Sequence, residues 1–161
     1  MEIYTEIEIQ ATADRVWQHL TNLDDFHLWN PFILSAQGIV RLGEKVQIHV
    51  KSAQGKDLNF QTTITQVEPN HKLSWRGKLI IPGLFDILHS FTIDPVNDNS
   101  VRFSQRENFS GLIVPLLAKY LNTKVIHEFE LMNRALKVRA ESSESLVLFN
   151  SRTAQQIIVQ E

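Results

Sequence analysis

The stretch LFDILHSFTIDPVNDNSVRFSQRENF, residues 84–109, alternates apolar and polar side chains on both sides of a turn-forming segment. In Phe85, Ile87, His89, Phe91 and Ile93 every second residue is large and apolar except His89. In Val101, Phe103, Gln105, Glu107 and Phe109 the exceptions are Gln105 and Glu107. A period of two marks a half-buried strand, and a turn centred on Asp98, within Pro95 to Ser100, folds the two runs into an antiparallel hairpin. That register sets Ile93 against Phe103, Phe91 against Gln105 and His89 against Glu107. The last two then face each other on the buried side. Burying an unpaired imidazole or carboxylate is costly, so such residues are satisfied by each other, by water or by a ligand. Function is sought here first.

Working towards the N-terminus, further strands fall near residues 32–41, 45–51, 58–68 and 72–80, beside the hairpin strands 84–94 and 100–109. They are separated by Leu42-Gly43-Glu44, Ser52 to Asp57, Pro69-Asn70-His71 and Pro82-Gly83, which supply the Gly, Pro and Asn that reversals need. Connections this short imply a meander. Parity places Val46, Ile48 and Val50 on one face with Phe60, Thr62 and Ile64, and these with Leu73, Trp75, Gly77, His89 and Phe91. One continuous concave apolar face results. Ile3, Ile7 and Ile9, with Glu6 and Glu8 between them, form a first strand. Thr12 is the N-cap of a short helix with Asp14 in its first turn and Val16, Trp17 and Leu20 on one face. A second helical turn, Asp24 to Trp29, stops at Asn30-Pro31, because the residue before proline is disfavoured in the α region.

Beyond Gly111, which marks the strand-to-helix turn, the period becomes helical. From Pro115 to Glu141 the apolar residues Leu117, Leu121, Val125, Phe129, Met132 and Leu136 recur at spacings of four and three, with Lys119, Lys124, Glu130, Arg134 and Lys137 mostly off that stripe. This predicts a long amphipathic helix. Residues 142–161 carry apolar patches at Leu146 to Phe149 and Ile157 to Val159, which fit a frayed tail, an added strand or an interaction segment equally. The domain organisation expected is therefore one domain over 1–141 and a tail over 142–161.

Composition narrows the function classes. At 161 residues, 43% hydrophobic and 21% charged, with a formal charge of -2, the chain reads as one ordinary soluble domain. Sixteen Lys and Arg against eighteen Asp and Glu are scattered without a basic run, which argues against a nucleic-acid partner. No apolar cluster approaches a bilayer span, so membrane insertion is not expected. The first residues show neither a basic nor an apolar leader segment, and the expectation is a cytoplasmic protein. Cysteine is absent, and His19, His27, His49, His71, His89 and His127 show no HxH, HxxxH or HExxH spacing, so neither a metal site nor a cofactor is expected. No G-x-S-x-G, G-x-G-x-x-G or G-K-[ST] segment supports a hydrolase or nucleotide-binding reading. Oligomeric state is not readable.

Three local patterns carry a family resemblance: Ala13-Asp14-Arg15-Val16-Trp17 after the first strand, Leu28-Trp29-Asn30-Pro31-Phe32 after the second helix, and Met132-Asn133-Arg134-Ala135-Leu136-Lys137 late in the long helix. With the element order, they resemble the START-like (SRPBCC) superfamily, in its polyketide cyclase/dehydrase-type ligand-binding branch. The resemblance covers residues 1–141. It implies an α+β helix-grip fold, a seven-stranded curved antiparallel sheet wrapped around a long C-terminal helix with two short helices after the first strand, enclosing a cavity for an apolar molecule. A fold alone does not decide the activity. Three functions stay open: sequestration or transport of a small lipophilic ligand, ring closure or dehydration of a polyketide-like substrate with His89 and Glu107 moving protons, and a protein-partner module like the superfamily's chaperone activators.

The candidate ligand-binding residues follow from face and stripe. On the sheet side they are Ile48, Phe60, Ile64, Trp75, Phe85, His89, Phe91, Phe103, Glu107 and Phe109. From the second helix and its exit come Trp29 and Phe32; from the long helix come Phe129, Met132 and Leu136. Ligand sites are mostly apolar with a few polar fixtures, and aromatic residues fill ordinary cores as well. His89 with Glu107 fits a polar fixture, a proton-transfer pair or a structural hydrogen bond pinning the hairpin. Asn133 fits a helix-cap or loop contact, and Arg134 a solvated charge.

Overall fold

The structure, a computed structural model, describes residues 1–51, 57–79 and 83–158. The turn expected at 52–56, Pro82 and the side chains of the tail patches lie outside the described residues. Seven strands form one antiparallel sheet: β1 (Glu2–Ile9), β2 (Ile33–Gly38), β3 (Lys45–Lys51), β4 (Asp57–Glu68), β5 (Lys72–Leu79), β6 (Phe85–Asn97) and β7 (Ser100–Ser110). Their order is β1-β7-β6-β5-β4-β3-β2, so β2 to β7 meander and β1 joins beside β7. Between β1 and β2 run α1 (Ala13–Thr21), a short 3-10 turn and α2 (Phe26–Trp29). Thr12 caps α1, its hydroxyl accepting from the Arg15 amide at 3.4 Å. Asn30 leaves α2 in an extended conformation, and its side-chain oxygen accepts from the amides of Phe32 and Ile33, which fixes the turn into β2.

The register matches the parity argument. His89 pairs with Glu107, Phe91 with Gln105 and Ile93 with Phe103, while Trp75 pairs with His89 and Leu73 with Phe91. Side chains on β6 alternate buried and half-buried from Phe85 to Ile93. A bulge at Thr65 shifts the β4–β5 pairing between Ile64 and Gln66, turning Val67 inward opposite Leu73. Gly111 has φ +123, and a Cβ there would collide with the Leu84 carbonyl, so the exit from β7 needs glycine.

The expected single helix is interrupted. It consists of α3 (Val114–Tyr120), a π-helical turn (Leu121–Val125) and α4 (Ile126–Ile158). The sequence contains the reason. Leu117, Leu121, Val125 and Phe129 are spaced by four throughout, and at 3.6 residues per turn such a row drifts by about 120° over its length. One extra residue in a π-turn removes most of that drift and keeps all four side chains facing the sheet. The helix also continues through residues 142–158, where a frayed tail, an added strand and an interaction segment were equally open. Helix α4 packs on β1, β7 and α1, with Phe129, Met132, Leu136 and Ala140 fully buried. Two apolar clusters form the interior. The larger joins α1, α2 and the Met132-to-Ala140 part of α4 to the sheet, and the smaller joins Ile3, Phe85, Ile87, Phe109, Val114, Leu121 and Phe129.

Candidate functional site

A cavity of about 270 Å³ lies in the smaller cluster's end of the concave face. Its floor is Phe60, Trp75, Phe85, Ile87 and Phe109 from β4 to β7, its roof Ile113, Leu117, Leu121 and Val125, and its side Phe32, Val50 and Leu58; Tyr120 stands in the wall. His89 and Glu107 open into it from the floor. The roof is therefore α3 and the π-turn, not the long helix proper.

Of the sequence-derived candidates, Phe32, Phe60, Trp75, Phe85, His89, Glu107 and Phe109 line this cavity. Ile48, Ile64, Phe91, Phe103, Met132 and Leu136 do not; they are closed into the larger core cluster. Trp75 thus stays in the cavity wall, while its expected companions on the same face and on the long helix, Phe91 and Met132, belong to the closed core. Phe129 is fully buried behind the cavity, stacked on the His89 ring at 4.7 Å and 13°. Trp29 does not line the cavity either: it is half-buried against the larger cluster, edge-on to Phe26 at 5.1 Å, and borders a surface groove of about 470 Å³ between α2 and α4 with Leu28, Arg134 and Val138.

Packing fixes the His89 ring and hydrogen bonds fix its tautomer. Trp75 meets it edge-on at 5.8 Å, and Phe129 covers one face. His89 Nε2 lies 3.0 Å from Gln105 Oε1. The opposite end of Gln105 points at two oxygens, the Phe129 carbonyl at 3.3 Å and Asn133 Oδ1 at 2.5 Å. A carbonyl can only accept, so this end of Gln105 is its NH₂ and Oε1 accepts from His89 Nε2–H. Asn133 then donates through Nδ2 to Thr5 Oγ1 at 3.1 Å. The chain of bonds leaves His89 Nδ1 as a lone pair.

That lone pair faces Glu107 Oε1 at 3.8 Å, too far for a hydrogen bond. The pair does not touch as the sequence reading expected; His89 bonds to its diagonal neighbour instead. Burial favours the neutral form of each group: the His89 pKa falls from 6.5 to about 3, and the Glu107 pKa rises from 4.5 to about 8. Near neutrality the site presents a carboxylic acid beside an imidazole lone pair, not an ion pair.

Sequence reasoning did not place Gln105, Asn133 or Thr5 among the site residues. Gln105 did interrupt the apolar face, and Asn133 follows Phe129 by four on the buried stripe, so both carried a signal. Asn133 is 2% exposed and bridges helix to sheet, which replaces the cap or loop contact expected for it. Thr5 carried none. Arg134 is exposed and pairs with Glu130 one turn away. Among the described residues no three His, Asp or Glu side chains come together as metal ligands, and no helix is long and apolar enough to cross a membrane.

Comparisons with known proteins bear on this geometry. No curated protein matches the sequence. Among solved structures, the chain is similar to the Zhui aromatase/cyclase from Streptomyces sp. R1128, with 15% identity, a TM-score of 0.74 and coverage of 88% of this chain and 93% of that one. It is also similar to a START superfamily protein from Mycobacterium smegmatis, with 19% identity, a TM-score of 0.69 and coverage of 88% and 97%. The di-domain aromatase/cyclase BexL of the BE-7585A biosynthetic pathway matches at 16% identity and a TM-score of 0.69 over 88% of this chain, which spans only 46% of that protein's length. At such identities these likenesses establish the fold alone. The model of the polyketide cyclase/dehydrase and lipid transport family matches residues 1–141, and the chain belongs to that family.

Proposed function

We propose that the chain binds a small lipophilic molecule between β4–β7 and the α3–π segment, sequestering or carrying it, with residues 1–141 as the binding unit and the cytoplasm as its setting. The observation that carries this reading is the cavity of about 270 Å³, walled mostly by aromatic and aliphatic side chains with His89 and Glu107 as fixtures on its floor. At about 30 Å³ per water, that volume suits a compact ligand the size of roughly nine waters. Family membership supports a ligand-binding or a cyclase role. A second reading, a polyketide cyclase-like enzyme, draws on one specific feature: an acid and a base lone pair, 3.8 Å apart, share the cavity. The partner-module reading draws on no comparable feature.

Naphthalene, an apolar probe of suitable size, tests the binding reading by calorimetric titration. Saturable binding to the wild-type protein is expected, weakened at least about tenfold by Val125→Phe, which fills the roof side of the cavity. Thermal unfolding of the variant serves as the folding control. Absence of saturable binding to the wild type would overturn the reading.

A further inference from the structure

The arrangement of His89 and Glu107 specifies more than an apolar ligand. The two groups stand 3.8 Å apart on the cavity floor, too far to bond each other and close enough for one oxygen to reach both at ordinary hydrogen-bond lengths. Their roles are complementary. Gln105, oriented by the Phe129 carbonyl, takes the His89 Nε2–H and leaves Nδ1 able only to accept. Glu107, buried and 6% exposed, presents a carboxyl that can donate. Among the described residues the wall holds no Lys or Arg to receive an anion, and bringing a carboxylate ligand against this pair would leave a charge uncompensated in a low-dielectric space.

We propose that the cavity selects an apolar ligand bearing a neutral hydroxyl, aliphatic or phenolic, whose oxygen bridges the pair by donating to His89 Nδ1 and accepting from the Glu107 carboxyl. This rests on the cavity being a ligand site, and it names the ligand class. It disfavours fatty acids and other lipophilic anions, because a carboxylate can accept but has no proton to give Nδ1 and no cation to balance it. It also assigns Gln105 and Asn133 as positioning residues, since they hold the imidazole tautomer on which the donor requirement depends.

The test is a titration panel on the wild-type protein near neutral pH: naphthalene, 2-naphthol, 2-methoxynaphthalene and 2-naphthoate. Two additional hydrogen bonds in a desolvated site should make 2-naphthol bind about tenfold or more tighter than naphthalene. The methoxy compound, which accepts but cannot donate, should lose most of that gain, and 2-naphthoate should bind more weakly than naphthalene. In Glu107→Met, which keeps the volume and removes the polar group, 2-naphthol and naphthalene should become equal within about threefold. Glu107→Gln, which retains a donor, should restore part of the preference and guards against a folding defect in the first variant. Equal binding of 2-naphthol and naphthalene by the wild type, an equal gain for the methoxy compound, or preference for 2-naphthoate would overturn the proposal while leaving the cavity a ligand site. Failure of all four probes to bind would overturn both.

Discussion

Truncating Phe129 to alanine should cost about 3–5 kcal/mol of stability, the loss typical of deleting a fully buried phenylalanine. The ring is 0% exposed, stacks on His89 at 4.7 Å and meets Phe32 edge-on at 6.2 Å. Its removal would open space between α4 and the cavity floor and unclamp the imidazole, while the Phe129 carbonyl that orients Gln105 would remain in place. Urea unfolding read by far-UV circular dichroism gives the number. A loss of only a few tenths of a kcal/mol, at an unchanged m-value, would mean that this face of α4 does not pack on the sheet.

The second large effect is on the pH dependence of stability. Glu107 titrates near 4.5 when unfolded and near 8 when folded, so between these values the native state holds a proton that the unfolded chain has released. Stability then falls as pH rises through that window. For His89 the native pKa is the lower one, about 3 against 6.5, so stability falls as pH drops through its window. The two slopes oppose each other between pH 4.5 and 6.5, and from pH 6.5 to 8 the Glu107 contribution stands alone. Wild-type protein should lose up to about 1.4 kcal/mol per pH unit there. Glu107→Gln, which cannot ionise, should lack that slope. Taking the difference between the two proteins cancels the titration of other groups, and parallel profiles would show that Glu107 is not buried as a neutral acid.

How much of this was legible in the sequence depends on which physical constraint each feature obeys. The β6–β7 register was readable because one slip would expose a whole apolar row, and the two half-strands share a centre at Asp98. The site's polar pair came with it. Its bonding did not, because side-chain rotamers decide whether His89 reaches its direct partner Glu107 or its diagonal partner Gln105, and parity says nothing of rotamers. Depth along the strand was equally unreadable. Phe91 and Phe103 share a face with His89 and Glu107, yet they sit under α1 and the Met132-to-Leu136 part of α4, where packing closes. Phe85, Ile87 and Phe109 sit under α3, where it stays open. The π-turn that sets the roof follows from the four-residue spacing of Leu117 to Phe129, a pattern visible in the sequence but read there as an ordinary stripe. Continuation of α4 beyond Glu141 carried only a weak signal, since within the two apolar patches Val147 and Ile158 keep helical phase with the buried stripe while their apolar neighbours do not.

Intermolecular NOEs from bound naphthalene to methyl-labelled protein test most directly whether the ligand space lies under the α3–π roof. Contacts to the methyls of Ile87, Ile113, Leu117, Leu121 and Val125 are the result this account predicts. Contacts confined to Leu28 and Val138, the exposed methyls of the groove between α2 and α4, would contradict it.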